Sequence, residues 1–173
     1  MHRRLIFPRL IQGFAVWILY AVLGAHPATA ACNDPPGPGV DWRQCNFDRY
    51  DLEKIDLSGA RLDNASFNRA ALAGTNFTAL EGGRVRFIGA NLQDTVFERA
   101  QLRYADFSQA NLSGASFKDA DLANTRLVSA NLRGANLTGS RLRGADLFRA
   151  DLSGATWVDG QRVCAEGSIS FCR

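Results

Sequence analysis

Histidine is nearly missing from this 173-residue chain: His2 and His26 are the only two, and both precede residue 31. Acidic residues are missing from that same opening stretch, which carries Arg3, Arg4 and Arg9 instead. Without histidine beyond residue 30, imidazole serves neither as general base nor as metal ligand. Ser-His-Asp and Cys-His catalysis and the usual zinc sites are thereby excluded, and no cofactor is expected. Long apolar runs are also scarce. The single one, "LIQGFAVWILYAVLGA" at residues 10–25, has the length of a secretory h-region and is short for a membrane span. "HPATAAC" comes next, with Ala28 and Ala30 at the spacing of a small-residue cleavage site. Residues 1–30 therefore read as a signal peptide cleaved near Ala30, and the mature chain as exported to a bacterial periplasm or beyond. An uncleaved anchor would need a longer apolar run than Pro8, Arg9 and Gln12 leave. A lipoprotein acylated on Cys32 would need a leucine-like residue where Thr29 stands.

An excess of charge of one sign is absent too. The opening segment takes away three of the 20 basic residues and none of the 17 acidic ones, so the mature chain is formally neutral. Neutrality argues against a nucleic-acid partner. Cysteine is sparse but even in number: Cys32, Cys45, Cys164 and Cys172. In an exported chain that favours disulfides over free or metal-binding thiols. Three pairings are open. The two local ones, Cys32 with Cys45 and Cys164 with Cys172, suit an elongated molecule and would each contribute about 2–4 kcal/mol.

What the chain has in abundance is a rhythm of five. Of the 23 positions ending in 2 or 7 from Phe47 to Trp157, fourteen are Leu, seven are Phe, one is Trp157 and one is Gly82. Two residues earlier stands alanine in 14 of the 23 repeats, with Thr75, Thr95, Thr125 and Ser140 nearly as small. A period of five walks around a helix and alternates between the faces of a flat strand. It requires a corner at each repeat. The small and large residues then share the inward face of a short extended segment, and the other three positions face outward and turn. Glycine recurs at the last place, as at Gly59, Gly74, Gly114 and Gly139, where a tight turn suits it. The seven phenylalanines all sit at numbers ending in 7, which suits a coil with an even number of sides. With four sides, Phe47, Phe67, Phe87 and Phe107 would form one ladder, and Phe77, Phe97 and Phe117 the facing one.

Repeats such as "ANLRG", "ANLTG", "ADLFR" and "ADLSG" resemble the pentapeptide-repeat family, over residues 45–159. The resemblance implies an all-β, right-handed quadrilateral parallel β-helix with one pentapeptide per side. Its 23 repeats make nearly six coils, or a rod about 27 Å long at roughly 4.8 Å per coil. Residues 31–44 and 160–173 would be disulfide-closed caps, with Trp42 at one end and Trp157, Val163, Ile169 and Phe171 at the other.

The filled core leaves recognition to the outer faces and the ends. Ile88, Val128 and Phe148 fall on one side as a broken apolar stripe. Arg126, Arg133, Arg141, Arg143 and Arg149 concentrate in the last two coils. The stretch Leu80, Glu81, Gly82, Gly83 and Arg84 breaks the pattern. Phe77 and Phe87 stay in phase across it, so Leu80 or Val85 is expected to fill the space of the missing leucine. A bulge at Gly82–Gly83 that turns Glu81 and Arg84 outward is a further expectation. The favoured function is a non-enzymatic, exported structural or protein-interaction rod with an unidentified protein partner and no membrane span after cleavage. Two alternatives rank below it. The resemblance extends to members that mimic DNA and bind topoisomerase, but these need an acidic surface and a cytoplasmic location. An enzyme with a surface carboxylate site is the other.

Overall fold

The structure is a computed structural model, and it describes residues 32–173. The expected signal peptide lies outside the described residues. From Asp41 to Thr156, every fifth residue is held in a parallel β-bridge to a residue twenty positions away. Four pentapeptides therefore complete one coil. The bridges fall into four ladders: Asp41 to Arg141, Asn46 to Asp146, Asp51 to Asp151, and Asp56 to Thr156. Among the described residues there is no helix.

One side of the coil shows how five residues make this unit. Ala90 and Leu92 point inward and are buried, while Asn91 between them faces outward and carries the bridge. The Leu92 N–H donates to Asn111 O at 2.8 Å, and the Asn111 N–H donates back to Ala90 O at 2.9 Å. At nearly every corner the residue in the small slot of the next side donates to the large residue of the last, as Ala100 N–H does to Phe97 O at 3.1 Å; at Leu52 the carbonyl accepts from Thr75 Oγ1 instead. The residue before that small residue has positive φ at every corner from Gly39 to Gly154. That is the condition type II turns place on their third residue, and it explains why glycine recurs there. Asn or Asp in the bridged position has its own role. Its side-chain oxygen accepts from the backbone N–H two residues on, as Asn46 does from Asp48 (2.8 Å) and Asp56 from Ser58 (3.0 Å). The Ala-Asx-Leu signature is thus a small inward residue, a turn-stabilising oxygen and a core side chain.

The aromatic ladders stack along the rod. Phe47, Phe67, Phe87 and Phe107 succeed one another at 5.3, 5.4 and 5.1 Å between ring centroids. Phe77, Phe97 and Phe117 do so at 5.0 Å. The two ladders meet edge to face across the core at 5.8–5.9 Å, as in Phe77 with Phe87 and Phe107 with Phe117. Offset stacking along each ladder and T-shaped contact between them are both favoured geometries for aromatic rings.

The ladder of bridges begins at Asp41, and Trp42 occupies a core slot, buried against Phe47 at 4.3 Å. Cys32 is bonded to Cys45 and Cys164 to Cys172. At the far end the chain turns back and pairs antiparallel with the last coil, Thr156 with Val163 and Asp151 with Ile169. Val163 and Phe171 do not cover the core: they are 61% and 57% exposed, and Ile169 is exposed as well. Bridged residues face outward in this end segment as they do in the coils, so Cys164 and Ser168 are the ones turned inward and buried.

Candidate interaction surface

With the interior filled, the outward residues and the last edge carry whatever chemistry the rod has. Ile88, Val128 and Phe148 share one column of the surface, each directly after the large residue of its repeat, with Ser108 between the first two. Ile88 and Val128 are half-buried, and only Phe148 stands clear, at 63% exposure. The stripe is thus weaker than its residue types suggest. Lower in the column lies a polar network. Ser66 Oγ donates to Asp48 Oδ1 at 2.5 Å, Asn68 N–H donates to the same oxygen at 2.8 Å, and Asn68 Nδ2 donates to Ser66 Oγ at 2.8 Å. Burial pushes the Asp48 carboxyl up, but these bonds together outweigh it and hold the group below its ordinary value. A serine donating to a low-pKa carboxylate is not an activated nucleophile; the network fastens one coil to the next.

The five arginines separate into three groups. Arg133 is occupied: it donates to Glu166 through both terminal nitrogens (2.8 and 2.9 Å) and to Asp151 at 3.3 Å. It ties the returning C-terminal segment to the coils. Arg133 is raised further above its already high value by these two carboxylates, and Glu166 is held low by Arg133. For Asp151, burial pulls upward, and the Ser153 hydrogen bonds with those of Arg133 outweigh it downward. Arg126 lies 3.9 Å from Asp106, a loose pair with the arginine exposed and the aspartate half-buried. Arg141, Arg143 and Arg149 are exposed and make no ion pair among the described residues.

The irregular coil is closed. A Cβ added at Gly82 would stand 3.2 Å from Val85 Cγ1, 3.3 Å from Leu80 Cδ2 and 3.3 Å from Leu102 Cδ2. Leu80 and Val85 are fully buried. Both therefore reach into the space that a leucine would take. No bulge forms. Glu81 is bridged to Arg61 and Gln101 in the common register, and the Gly82 N–H donates to Gln101 O at 2.9 Å. Glu81 and Arg84 face solvent because they hold the bridged and positive-φ places, which point outward in the regular coils too. Gly83 adds a local reason for glycine: a Cβ there would meet Asp63 Oδ1 at 2.8 Å, and that oxygen accepts the Gly83 N–H at 3.0 Å.

The open end of the last coil escapes the repeat pattern. The returning segment continues only two of the four ladders, leaving Leu142, Ala145 and Leu147 incompletely covered at the other two. Their repeats are regular, so no local pattern marks them. The signal is the loss of the five-residue rhythm after Trp157, which ends the supply of inward leucines for a further coil.

A family model described as a pentapeptide repeat region matches residues 60–137 and, shifted, 80–157. Among solved structures, a pentapeptide repeat protein from the thylakoid lumen of Arabidopsis thaliana is 26% identical, with 74% of this chain and 83% of that one covered and a TM-score of 0.44. HetL, a pentapeptide repeat protein involved in heterocyst differentiation regulation in the cyanobacterium Nostoc, is 31% identical, with 71% and 70% covered and a TM-score of 0.28. A plasmid-mediated fluoroquinolone resistance protein is 19% identical, with 68% and 63% covered and a TM-score of 0.41. No curated protein matches the chain.

Proposed function

We propose a function from one premise: the chain belongs to the pentapeptide-repeat family. It acts as an exported, non-enzymatic rod that binds a protein partner or spaces components of a larger structure. The observation that carries this reading is the filled interior. The large inward side chains from Phe47 to Leu137 are buried in one continuous core, which leaves outer faces and ends for contact. Outward residues vary from coil to coil on a rigid frame, as an interaction platform requires. Among the described residues, no group of His, Cys, Asp and Glu is arranged to hold a metal ion.

The finer architecture belongs to the same proposal: a right-handed quadrilateral β-helix of nearly six coils, with residues 31–44 and 160–173 as disulfide-closed caps. Periplasmic or extracellular residence is supported by the apolar opening segment and by two disulfides, bonds that an oxidising compartment sustains. Among the described residues, no helix is long and apolar enough to cross a membrane. A topoisomerase-directed DNA mimic would need an acidic surface, whereas residues 31–173 balance their charges.

Affinity capture from the exported fraction tests the function. Variants at Phe148 and at the arginines of the last coils should separate a specific partner from background. Loss of one stoichiometric partner with one patch supports the rod. A hydrolytic activity that survives in the purified protein would overturn it.

A further inference from the structure

We propose that the uncovered edge of the last coil, residues 140–147, is a docking strip for an extended acidic segment of a partner protein. The proposal rests on the interaction-rod reading and specifies where the rod binds and what chemistry it takes. In each earlier coil the large residue and the positive-φ residue donate their N–H groups to the next coil, and the small residue accepts through its C=O. At the last coil the N–H groups of Leu142, Gly144 and Leu147 and the carbonyls of Ser140 and Ala145 have no such partner among the described residues, whereas the Arg149 N–H donates to Ser170 Oγ at 2.8 Å and closes the row there. These groups form a donor and acceptor row of the kind that strand addition uses. Beneath them, Leu142 and Leu147 are only partly covered, whereas Leu122 and Leu127 one coil below are fully buried. Phe148 stands beside the row, 63% exposed.

The neighbouring sides show what this edge accepts. There the chain's own end segment lies antiparallel, donating Ser170 N–H to Ala150 O (2.9 Å) and receiving Leu152 N–H at Ser168 O (2.8 Å). Its Glu166 reaches down to Arg133. The open strip repeats the arrangement without an occupant. It has the same backbone row and an apolar floor, and Arg141, Arg143 and Arg149 outnumber Asp146 of the strip itself, while Asp121 one coil below is paired with Arg103 at 3.8 Å. Arg141, Leu142 and Arg143 also line a groove with Arg103, Asp121 and Ala123. Extended backbone with acidic side chains is the occupant these groups complement. A second copy fits less well. The returning segment already stands on the other two sides, so a full coil has no flat seat, and two such strips facing each other would oppose their arginines.

Fluorescence anisotropy on the exported chain tests this, with a labelled peptide of alternating valine and glutamate as the probe. The Val-Glu peptide should bind, its backbone N-methylated form should not, and a Val-Lys peptide should bind far more weakly. The triple variant Arg141→Glu, Arg143→Glu, Arg149→Glu should weaken the Val-Glu peptide by about tenfold or more, since exposed charge pairs add modestly and jointly. All three sites are on the surface, and an unchanged thermal transition confirms that the variant is folded. No binding to the wild type, binding indifferent to N-methylation, or equal binding of the Val-Lys peptide would each overturn the proposal. Concentration-dependent dimers in sedimentation velocity that vanish in the triple variant would also overturn it, since the strip would then seat a second copy. A partner captured through a different face would refute the strip and leave the rod standing.

Discussion

Restoring the regular repeat at the irregular coil should work only if three residues change together. Leu80 carries three more carbons than the alanine of a regular small slot, and Val85 carries two more. A leucine at 82 would add four over glycine. The core volume is therefore nearly conserved by the exchange, and the contacts of 3.2–3.3 Å around a Cβ at Gly82 leave no room for both arrangements. Gly82→Leu alone overpacks a site enclosed by Leu80, Val85 and Leu102, at a cost of about 1–3 kcal/mol. Leu80→Ala alone opens a cavity in a fully buried site, at about 2–5 kcal/mol. Leu80→Ala, Gly82→Leu and Val85→Ala together should lie close to the wild type, so the single effects must be strongly non-additive. Urea denaturation of the wild type, each single variant and the triple variant measures this coupling directly. Additive losses, or a Gly82→Leu protein more stable than the wild type, would refute the repacking argument.

Other predictions concern the corners and the ends. Gly134 and Gly139 both have positive φ, but a Cβ at Gly134 meets open space while one at Gly139 runs into the Asp119 carboxylate. Gly134→Ala should cost about 1–2 kcal/mol from the backbone alone, and Gly139→Ala more, by chemical denaturation. Glu166 and Asp151 are held below their ordinary values, so the detached end segment binds protons more readily than the docked one. Their contribution is then complete above about pH 5 and lost as pH falls through the depressed values. Hydrogen exchange across residues 163–170 should quicken on acidification, and Arg133→Ala should reduce that pH dependence. Reducing Cys32–Cys45 and Cys164–Cys172 should remove about 2–4 kcal/mol each. Amides near both termini should lose protection first, while those of Phe87 and Phe97 stay protected.

The coil was legible because each of its demands falls on residue type. Inward slots must be small then large, which Ala90 and Leu92 satisfy, and the corner needs positive φ, which Gly114 and Gly139 supply. The ten-residue alternation of the phenylalanines pointed only to an even number of sides; their stacking, at a step of twenty, fits four. Arg69 and Tyr104 show where residue type stops being informative. Both adopt the same positive φ as glycine, because closing the ladder outweighs the local preference. The surface was less legible for a similar reason. Arg133 and Arg143 look alike in their repeats, both in Leu-Arg-Gly-Ala, yet one is tied down by Glu166, 33 residues away, and the other is not. The open edge at Leu142 and Leu147 depends on the path of the chain after Trp157, which no repeat encodes.

The most direct test of the rod as a binding device is quantitative affinity capture from the exported fraction, comparing the wild type with folded variants of each outer patch. One partner in stoichiometric amount is expected, lost when one patch is changed and retained when the others are. Capture indifferent to every outer-face change, or catalytic turnover by the purified chain, would contradict the rod as a binding device.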